Sequence, residues 1–321
     1  MTPRATDSVT LVEVAPRDGL QHENRVIPTD LKVAWIDALS KTGLPVIEVT
    51  SFVRPDRIPQ LADAEEVMDR IMRHPGTRYT ALVPNLHGLE RALAHRPDAI
   101  AVFTAASESF NRHNIETGIE GAFERMTPVI AEARRRALPV RGYLSTAIGC
   151  PYEGWIDPAR VAALTERLFD LGVDEVSLGD TIGVGTPKQV RTLLDAVGAR
   201  VPLARIAVHF HDTYGQGIAN VLTAVEAGIR TVDASLNGLG GCPFAPGASG
   251  NVATEEVVYL LEGMGLPTGV SLPDLLATGD FLRPALTHSE MSRLAHVPRT
   301  SRWLDPGRSG RDSTPGCSVL D

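Results

Sequence analysis

The chain has 321 residues, of which 43% are hydrophobic and 22% charged, the composition of a globular protein with a core of ordinary size. This composition excludes a disordered chain, and the sequence has no apolar run near the roughly 18 residues that a membrane span requires. The 39 acidic residues outnumber the 31 basic ones and give a net charge of −8, which disfavours a nucleic-acid partner.

Three cysteines, Cys150, Cys242 and Cys317, are too few and too widely spaced for a disulfide framework or a structural zinc site. A reducing compartment is therefore expected. The first residues contain no apolar segment of the secretory kind, and the last residues are not a peroxisomal address. These features predict a cytoplasmic protein with no membrane anchor.

Eight short apolar runs, rich in β-branched residues, alternate with helical segments, a pattern that predicts parallel strands buried on both faces. The runs are residues 9–14, 46–50, 79–83, 100–104, 140–145, 175–178, 206–209 and 231–235. Their average spacing of about 30 residues is the length of a βα unit. Eight units predict an α/β fold of the TIM (β/α)8 barrel type. An open doubly wound sheet is the alternative, but it usually has a glycine-rich nucleotide loop where this chain has Ala15–Gly19.

The helical segments carry recognisable end signals. A helix over residues 31–39 follows Pro28, and a helix over 158–171 begins after the N-cap residue Asp157 and ends at Gly172. The last barrel helix is predicted over 254–264. We therefore assign residues 1–265 to the barrel, 266–303 to a short C-terminal helical appendage and 304–321 to a flexible tail.

Polar residues follow several predicted strands at their carboxyl ends, where barrel enzymes place their catalytic groups. They are Arg17, Asp18, Glu48, Asp180, Thr181, His209 and His211. Taken singly, Asp180 could be a helix N-cap, and Glu48 could be the buried partner of an arginine. Because the whole set converges on one rim, it is interpreted as an active site.

His209 and His211 are two residues apart on a predicted strand, so both side chains point into the barrel mouth while Phe210 points to the helices. One metal ion could bridge the two imidazoles. Further ligands are available in Asp18, which barrel closure brings near the seventh strand, and in Asn251 beyond the eighth. A mixed nitrogen and oxygen set suits Mg²⁺, Mn²⁺ or another octahedral divalent cation better than structural zinc.

A glycine-rich segment, residues 237–251, follows the last predicted strand and is expected to form a mobile lid over the barrel mouth. Cys242 in its middle is a candidate to deliver or take a proton when the lid closes over substrate. The alternative for Cys242 is a small buried hydrophobic residue, the commoner fate of a free cysteine. Cys150 is expected to be structural, and Cys317 has no assigned role.

Five long motifs, in this order along the chain, together resemble those of the hydroxymethylglutaryl-CoA lyases. They are Glu13-Val-Ala-Pro-Arg-Asp-Gly-Leu-Gln21, Gly149-Cys-Pro-Tyr-Glu-Gly154, Ser177-Leu-Gly-Asp-Thr-Ile-Gly-Val-Gly-Thr-Pro187, Val208-His-Phe-His-Asp-Thr-Tyr-Gly-Gln216 and Gly238-Leu-Gly-Gly-Cys-Pro-Phe-Ala-Pro-Gly-Ala-Ser-Gly-Asn251. The resemblance covers nearly the whole barrel. The Gly-Cys-Pro lid distinguishes these lyases from the acyl-CoA condensing enzymes, which share the Arg-Asp start and the His-x-His pattern.

The resemblance implies that an acyl-CoA substrate, 3-hydroxy-3-methylglutaryl-CoA, is cleaved to acetoacetate and acetyl-CoA. It also implies a divalent cation that orients the C3 hydroxyl and lowers its pKa. The implied ligands of this cation are Asp18, His209, His211 and Asn251. Arg17 would stabilise the enolate oxygen, and Cys242 would protonate the enolate. The group that takes the hydroxyl proton stays open between a carboxylate such as Asp18 and a metal-bound water.

Further positions match the family in supporting roles. Glu48 and Asp180 match residues that orient the site, and Arg17, Gln21 and Thr181 match residues against the substrate. Glu255 also matches, with a solvated or helix N-terminal carboxylate as its alternative. The family at large suggests a homodimer and a role in leucine breakdown.

Two regions depart from the family pattern. Asn24 stands where a lysine is frequent, and Leu286-Thr287-His288-Ser289 stands where a basic residue is common, with Arg293 the nearest match. Both regions border the expected acyl-CoA position, so a lyase for a bulkier 3-hydroxy-3-alkylglutaryl-CoA is an alternative. Two further functions compete with a lyase: a Claisen-type condensing acyltransferase, which usually has a long extra C-terminal region, and a non-catalytic metal-binding barrel.

Overall fold

The computed structural model describes residues 8–241, 250–287, 292–301 and 304. Within these residues, eight parallel strands close into a barrel in the order β1-β8-β7-β6-β5-β4-β3-β2. The strands are β1 (Thr10–Glu13), β2 (Val46–Ser51), β3 (Arg78–Leu82), β4 (Ala99–Ala105), β5 (Val140–Ser145), β6 (Glu175–Asp180), β7 (Ile206–Phe210) and β8 (Thr231–Ala234). The predicted barrel is confirmed, and the predicted strand limits agree with the structure to within two residues.

Ten α-helices accompany the strands in the described part of the chain. They are α1 (Thr29–Leu39), α2 (Ala64–Arg70), α3 (Leu86–Ala94), α4 (Glu108–Ile115), α5 (Ile119–Arg135), α6 (Pro158–Leu171), α7 (Pro187–Gly198), α8 (Gly217–Glu226), α9 (Thr254–Gly263) and α10 (Leu272–Leu282). Helix α6 has the predicted limits: the Asp157 carboxylate accepts the N–H of Ala159 at 2.9 Å, and Gly172 ends the helix at φ +101°. No helix among the described residues is both long and apolar enough to cross a membrane.

The main hydrophobic core lies between the strands and the surrounding helices. Alternate residues of a strand point to opposite faces, so Val208 and Phe210 of β7 join this core while His209 between them faces the barrel interior. The predicted orientation of Phe210 is confirmed. The barrel interior holds two smaller apolar clusters, one around Val12 and one around Tyr143, and a set of buried charged residues. Because the main apolar core lies outside the barrel, the barrel interior can hold polar and charged side chains.

Helix α10 follows the barrel and packs against α1 and α9. It also contacts the turn after β8, where the Asn237 side-chain amide donates to the carbonyl of Gly279 at 3.2 Å. Asn237 adopts φ +61°, a left-handed conformation that Asn tolerates better than most residues. The division of the chain into barrel, appendage and tail stays a prediction, and residues 305–321 lie outside the described part.

Glu13, at the end of β1, is a fully buried carboxylate. Its Oε1 accepts the N–H groups of Ala15 and Leu236, each at 2.9 Å, and its Oε2 accepts the Thr254 hydroxyl at 2.7 Å. The carboxylate thus ties the end of β1 to the end of β8 and the start of α9. Burial raises the pKa of Glu13 from 4.5 to about 7, although the three hydrogen bonds oppose this shift.

This raised pKa predicts a measurable pH dependence of stability. The folded state binds the Glu13 proton more tightly than the unfolded state does. Protonated Glu13 therefore stabilises the fold at low pH, and this stabilisation is lost as the pH rises from 4.5 to about 7. Glu13→Gln cannot ionise, so its free energy of unfolding relative to wild type should rise over this range, by at most about 3 kcal/mol.

Urea unfolding across this pH range measures the difference. Glu90→Gln, at an exposed position on α3, is the matched control and should differ from wild type by a constant amount. A difference for Glu13→Gln that is equally constant with pH would contradict the assignment.

Candidate active site

Arg17 and Asp18 lie on a turn that directly follows β1. The N–H groups of Arg17, Asp18 and Gly19 all approach the carbonyl of Val14, at 3.1, 2.7 and 3.3 Å, which gives residues Ala15–Gly19 a π-helical turn. Such turns are rare in proteins overall, and those that occur are often found at functional sites. Both side chains are buried and line the cavity at the carboxyl end of the barrel.

Asp18 meets the two predicted histidines in that cavity. One ligand atom from each of Asp18, His209 and His211 lies within 4.8 Å of the others, and the Nε2 of His209 is 3.8 Å from the Oδ2 of Asp18. Burial, together with the neighbouring His209, lowers the pKa of His211 from 6.5 to about 3. His211 is therefore neutral near pH 7, so its imidazole keeps a lone pair for a metal.

Asn251 lies beside this cluster. It pairs with His211 in an isolated antiparallel bridge, and its side-chain Nδ2 donates to the Oδ2 of Asp18 at 2.8 Å and to the carbonyl of Leu239 at 2.9 Å. A Cβ on Gly240, which has φ +128°, would lie 2.4 Å from this Nδ2, so the close approach requires glycine.

The Oδ1 of Asn251 is buried without a hydrogen-bond partner among the described residues, and so is the Nδ1 of His211. Buried polar atoms without partners are uncommon in native proteins. A carboxylate, two imidazoles and an amide oxygen together fit the nitrogen and oxygen preference of a divalent cation. The residues present therefore fit a metal at this place.

Arg17 is held between two carboxylates. Its Nε donates to the Oε2 of Glu48 at 2.6 Å, and its Nη1 donates to the Oδ1 of Asp18 at 2.5 Å. Burial works against the charge of Arg17, but the two carboxylates outweigh it and hold the pKa of the guanidinium above its usual value. Burial works against the charge of Asp18 as well, and Arg17 and His209 hold its pKa well below the usual range.

Glu48 is thus the buried partner of an arginine, as one of the two interpretations of the sequence predicted. It also lies among the residues of the candidate site. Its Oε2 also accepts the hydroxyl of Tyr143 at 3.2 Å. Burial raises the pKa of Glu48, and the Arg17 guanidinium offsets part of this shift. Arg17 also lies 5.3 Å from the centre of the Tyr143 ring, so the aromatic residue contacts both members of the pair.

Asp180 ends β6 and is fully buried. Its Oδ2 accepts the N–H of Gly185 at 2.8 Å, so the carboxylate braces the loop that follows β6. Burial raises its pKa from 3.8 to about 6, and the backbone N–H groups of that loop oppose this shift. Its Oδ1 is buried without a partner in the described part of the chain.

The two predicted substrate-contacting residues, Gln21 and Thr181, both line the cavity. The side-chain amide of Gln21 donates to the Oδ1 of Asp18 at 3.3 Å, and the Thr181 Oγ1 accepts the N–H of Thr146 at 2.7 Å. Both side chains are therefore held in place by neighbours at the rim.

Glu255 is buried, which excludes the alternative of a solvated carboxylate, while the alternative of a helix N-terminal carboxylate agrees with its position. It lies in the first turn of α9, and the N–H of Asn237 donates to both of its carboxylate oxygens, each at 3.2 Å. Burial raises the pKa of Glu255 from 4.5 to about 7. A hydrogen bond from Ser292 opposes this shift, and the charge of Glu13 adds to it. Glu255 thus supports the turn from which the glycine-rich segment starts.

These side chains surround a cavity of about 860 Å³. Its wall includes Arg17, Asp18, His209, His211, Asn24 and Gly241. Cys242 and the segment 242–249 lie outside the described residues. Gly241, the last described residue before Cys242, is at the cavity wall.

Sequence reasoning missed three buried polar residues of the barrel interior: Arg141, Ser177 and Asp233. The Oδ1 of Asp233 accepts the Nη2 of Arg141 at 2.6 Å, and its Oδ2 accepts the Ser177 hydroxyl at 2.8 Å. The available signal was a charged residue in an otherwise apolar strand, as Asp233 is in β8, because burying a charge requires a partner.

Comparisons with known proteins identify the family of the chain. A model of the HMGL-like family matches residues 8–282. The chain is 52% identical over 294 residues to the rat protein named 3-hydroxy-3-methylglutaryl-CoA lyase, cytoplasmic, covering 92% of this chain and 86% of the rat protein.

Solved structures show the same likeness. The HMG-CoA lyase of Bacillus subtilis superposes with a TM-score of 0.88 at 47% identity, covering 90% of this chain and 97% of that one. An HMG-CoA lyase from Acinetobacter baumannii, in complex with coenzyme A and 3-methylmalate, has a TM-score of 0.89 at 38% identity, covering 94% and 98%. Because these matches join sequence identity to a shared fold over about nine-tenths of the chain, the protein belongs to the hydroxymethylglutaryl-CoA lyase family.

Proposed function

We propose that the protein is a divalent-metal-dependent carbon–carbon lyase that cleaves 3-hydroxy-3-methylglutaryl-CoA to acetoacetate and acetyl-CoA. The observation that carries this proposal is the cluster of Asp18, His209 and His211 beside Arg17, in the wall of a cavity large enough for a small acyl group. The named activity of the rat relative supports the same reaction.

The reaction breaks the bond between C2 and C3 of the acyl group. The C3 hydroxyl loses its proton, the C2–C3 electron pair moves onto the thioester fragment as an enolate, and C2 then takes a proton. Asp18, His209, His211 and Asn251 are the residues that would hold the cation. A bound cation would act as a Lewis acid on the oxygens of the acyl group and orient the bond that breaks.

Arg17 supplies fixed positive charge for the developing enolate oxygen. Its guanidinium is held at two points, by Glu48 and by Asp18, so it needs little reorganisation as charge develops. Glu48 is thus a positioning residue for Arg17. Whether Asp18 or a bound water accepts the hydroxyl proton stays open.

The other predicted residues lie in or behind the wall of the site. Gln21 and Thr181 contact the substrate from the rim, and Asp180 fixes the loop after Thr181. Glu255 fixes the turn at Asn237, from which the segment with Cys242 starts. Cys242 is proposed, on the sequence, as the acid that protonates the enolate.

One contact bears on the choice of acyl group. The N–H of Asn24, at the cavity wall, donates to the Thr287 hydroxyl at 3.3 Å, so the two departures from the family pattern meet at one place. Neither side chain brings the positive charge that is frequent there in the family. Because this place borders the cavity, a bulkier 3-alkyl group stays the second candidate for the substrate.

Finer assignments stay proposals. Mg²⁺ or Mn²⁺ is proposed from the donor set, and the cytoplasm from the sequence alone, since relatives of similar identity are named both cytoplasmic and mitochondrial. A homodimer and a role in leucine breakdown rest on the family resemblance alone.

Acetoacetate release from 3-hydroxy-3-methylglutaryl-CoA tests the reaction and the substrate together. Purified protein with Mg²⁺ or Mn²⁺ and a reducing agent should release acetoacetate, and a chelator should abolish the release. A 3-ethyl analogue turned over faster than the 3-methyl compound would favour the second candidate. No cleavage of either compound by folded, metal-loaded protein would contradict the proposal.

Cys242→Ala tests the proton-transfer role. Removal of a general acid should lower kcat about a hundredfold or more, while metal binding stays unchanged. Cys150→Ser is the matched control, because Cys150 is buried outside the cavity wall, with its Sγ 3.0 Å from the hydroxyl of Ser107. Its kcat should stay within about threefold of wild type. Unchanged turnover in Cys242→Ala would refute the role.

A further inference from the structure

Asp233 is a buried carboxylate of the barrel interior that lies beside a proposed metal ligand. It is in the middle of β8, directly opposite His209 in the register of β8 with β7. Its Oδ2 is 3.3 Å from the Nδ1 of His209. Asp233 is outside the group of Asp18, His209 and His211 that brings its ligand atoms together. Asp233 meets the ring at Nδ1, whereas Asp18 lies nearest Nε2, so the two carboxylates contact different edges of the imidazole.

Two donors fix the Asp233 carboxylate in this position. The Nη2 of Arg141 donates to Oδ1 at 2.6 Å, and the Ser177 hydroxyl donates to Oδ2 at 2.8 Å. Arg141 also forms an ion pair with Glu175, with its Nε 3.0 Å from Oε1. Because Asp233 receives both donors on its oxygens, the carboxylate faces His209 as a hydrogen-bond acceptor.

This arrangement favours one of the two tautomers of His209. A carboxylate oxygen that accepts at Nδ1 favours the tautomer with hydrogen on Nδ1, which leaves a lone pair on Nε2. Nε2 is the nitrogen that faces the Oδ2 of Asp18, at 3.8 Å. Carboxylates that accept from the far nitrogen of a metal-binding histidine orient the ring and make it a better ligand.

We propose that Asp233, fixed by Arg141 and Ser177, is a positioning residue that sets the orientation and tautomer of His209 for metal binding. The inference rests on the proposed metal site. It assigns a role to a chain of buried residues that the reaction itself does not use. The rival explanation is that Asp233 only neutralises the buried charge of Arg141.

Nitrogen-15 NMR of the histidines tests the proposal in metal-free protein. Wild type at neutral pH should show His209 with hydrogen on Nδ1, identified by loss of its signals in His209→Gln. In Asp233→Asn, Arg141 should donate to the amide oxygen, so that the amide nitrogen faces His209. The ring hydrogen of His209 should then move from Nδ1 to Nε2. Mn²⁺ affinity, read by electron paramagnetic resonance, should then fall about ten- to hundredfold.

One control separates positioning from folding. Asp174→Asn changes a carboxylate that accepts the N–H of Val140 at the opposite end of the barrel, so it should alter neither readout. Circular dichroism confirms that each variant is folded.

Hydrogen on Nε2 of His209 in the wild type would overturn the proposal, even if Asp233→Asn fails to fold. So would a folded Asp233→Asn variant with unchanged tautomer and affinity, the result expected if Asp233 only neutralises Arg141. Failure of the wild type to bind Mn²⁺ at all would instead count against the proposed metal site.

Discussion

The site depends on the compensation of buried charge inside the barrel. Arg17 lies between Glu48 and Asp18, and all three side chains are buried at the carboxyl end of the strands. Removing one partner of a buried ion pair costs about 3–5 kcal/mol, because the remaining charge is left without compensation. The arginine therefore keeps Asp18 ionised and is itself kept in place by Glu48. The groups proposed for catalysis thus compensate one another's buried charge.

Barrel closure brings these groups together. Asp18 and Asn251 are 233 residues apart in sequence, yet their side chains are hydrogen-bonded because β1 pairs with β8 and β8 with β7. Glu13 and Glu255 then fix the turns that follow β1 and β8. The loops at this end are thus held by buried carboxylates whose pKa values lie near neutrality.

Much of the fold was predictable, since each strand is buried on both faces and appears as a local apolar run. The ends of α6 were equally local, because Asp157 and Gly172 act on their own helix. The His209 and His211 pair was visible because a spacing of two on a strand fixes a common face. What the sequence could not give is long-range pairing: Arg141 meets Asp233 across 92 residues, and Glu13 meets Leu236 across 223. Glu255 was found as a match, but its hydrogen bond from Ser292 is a long-range contact that the local sequence does not show.

The most direct measurement of the metal site is Mn²⁺ binding by wild type and Asp18→Asn, followed by electron paramagnetic resonance at fixed pH. We expect one tight site per chain in the wild type and at least a tenfold loss of affinity in the variant, because the amide replaces the ligand carboxylate. Asp195→Asn, at an exposed position on α7, should bind as the wild type does. Equal affinity in Asp18→Asn and wild type would contradict the proposed site, since the cation would then lie elsewhere.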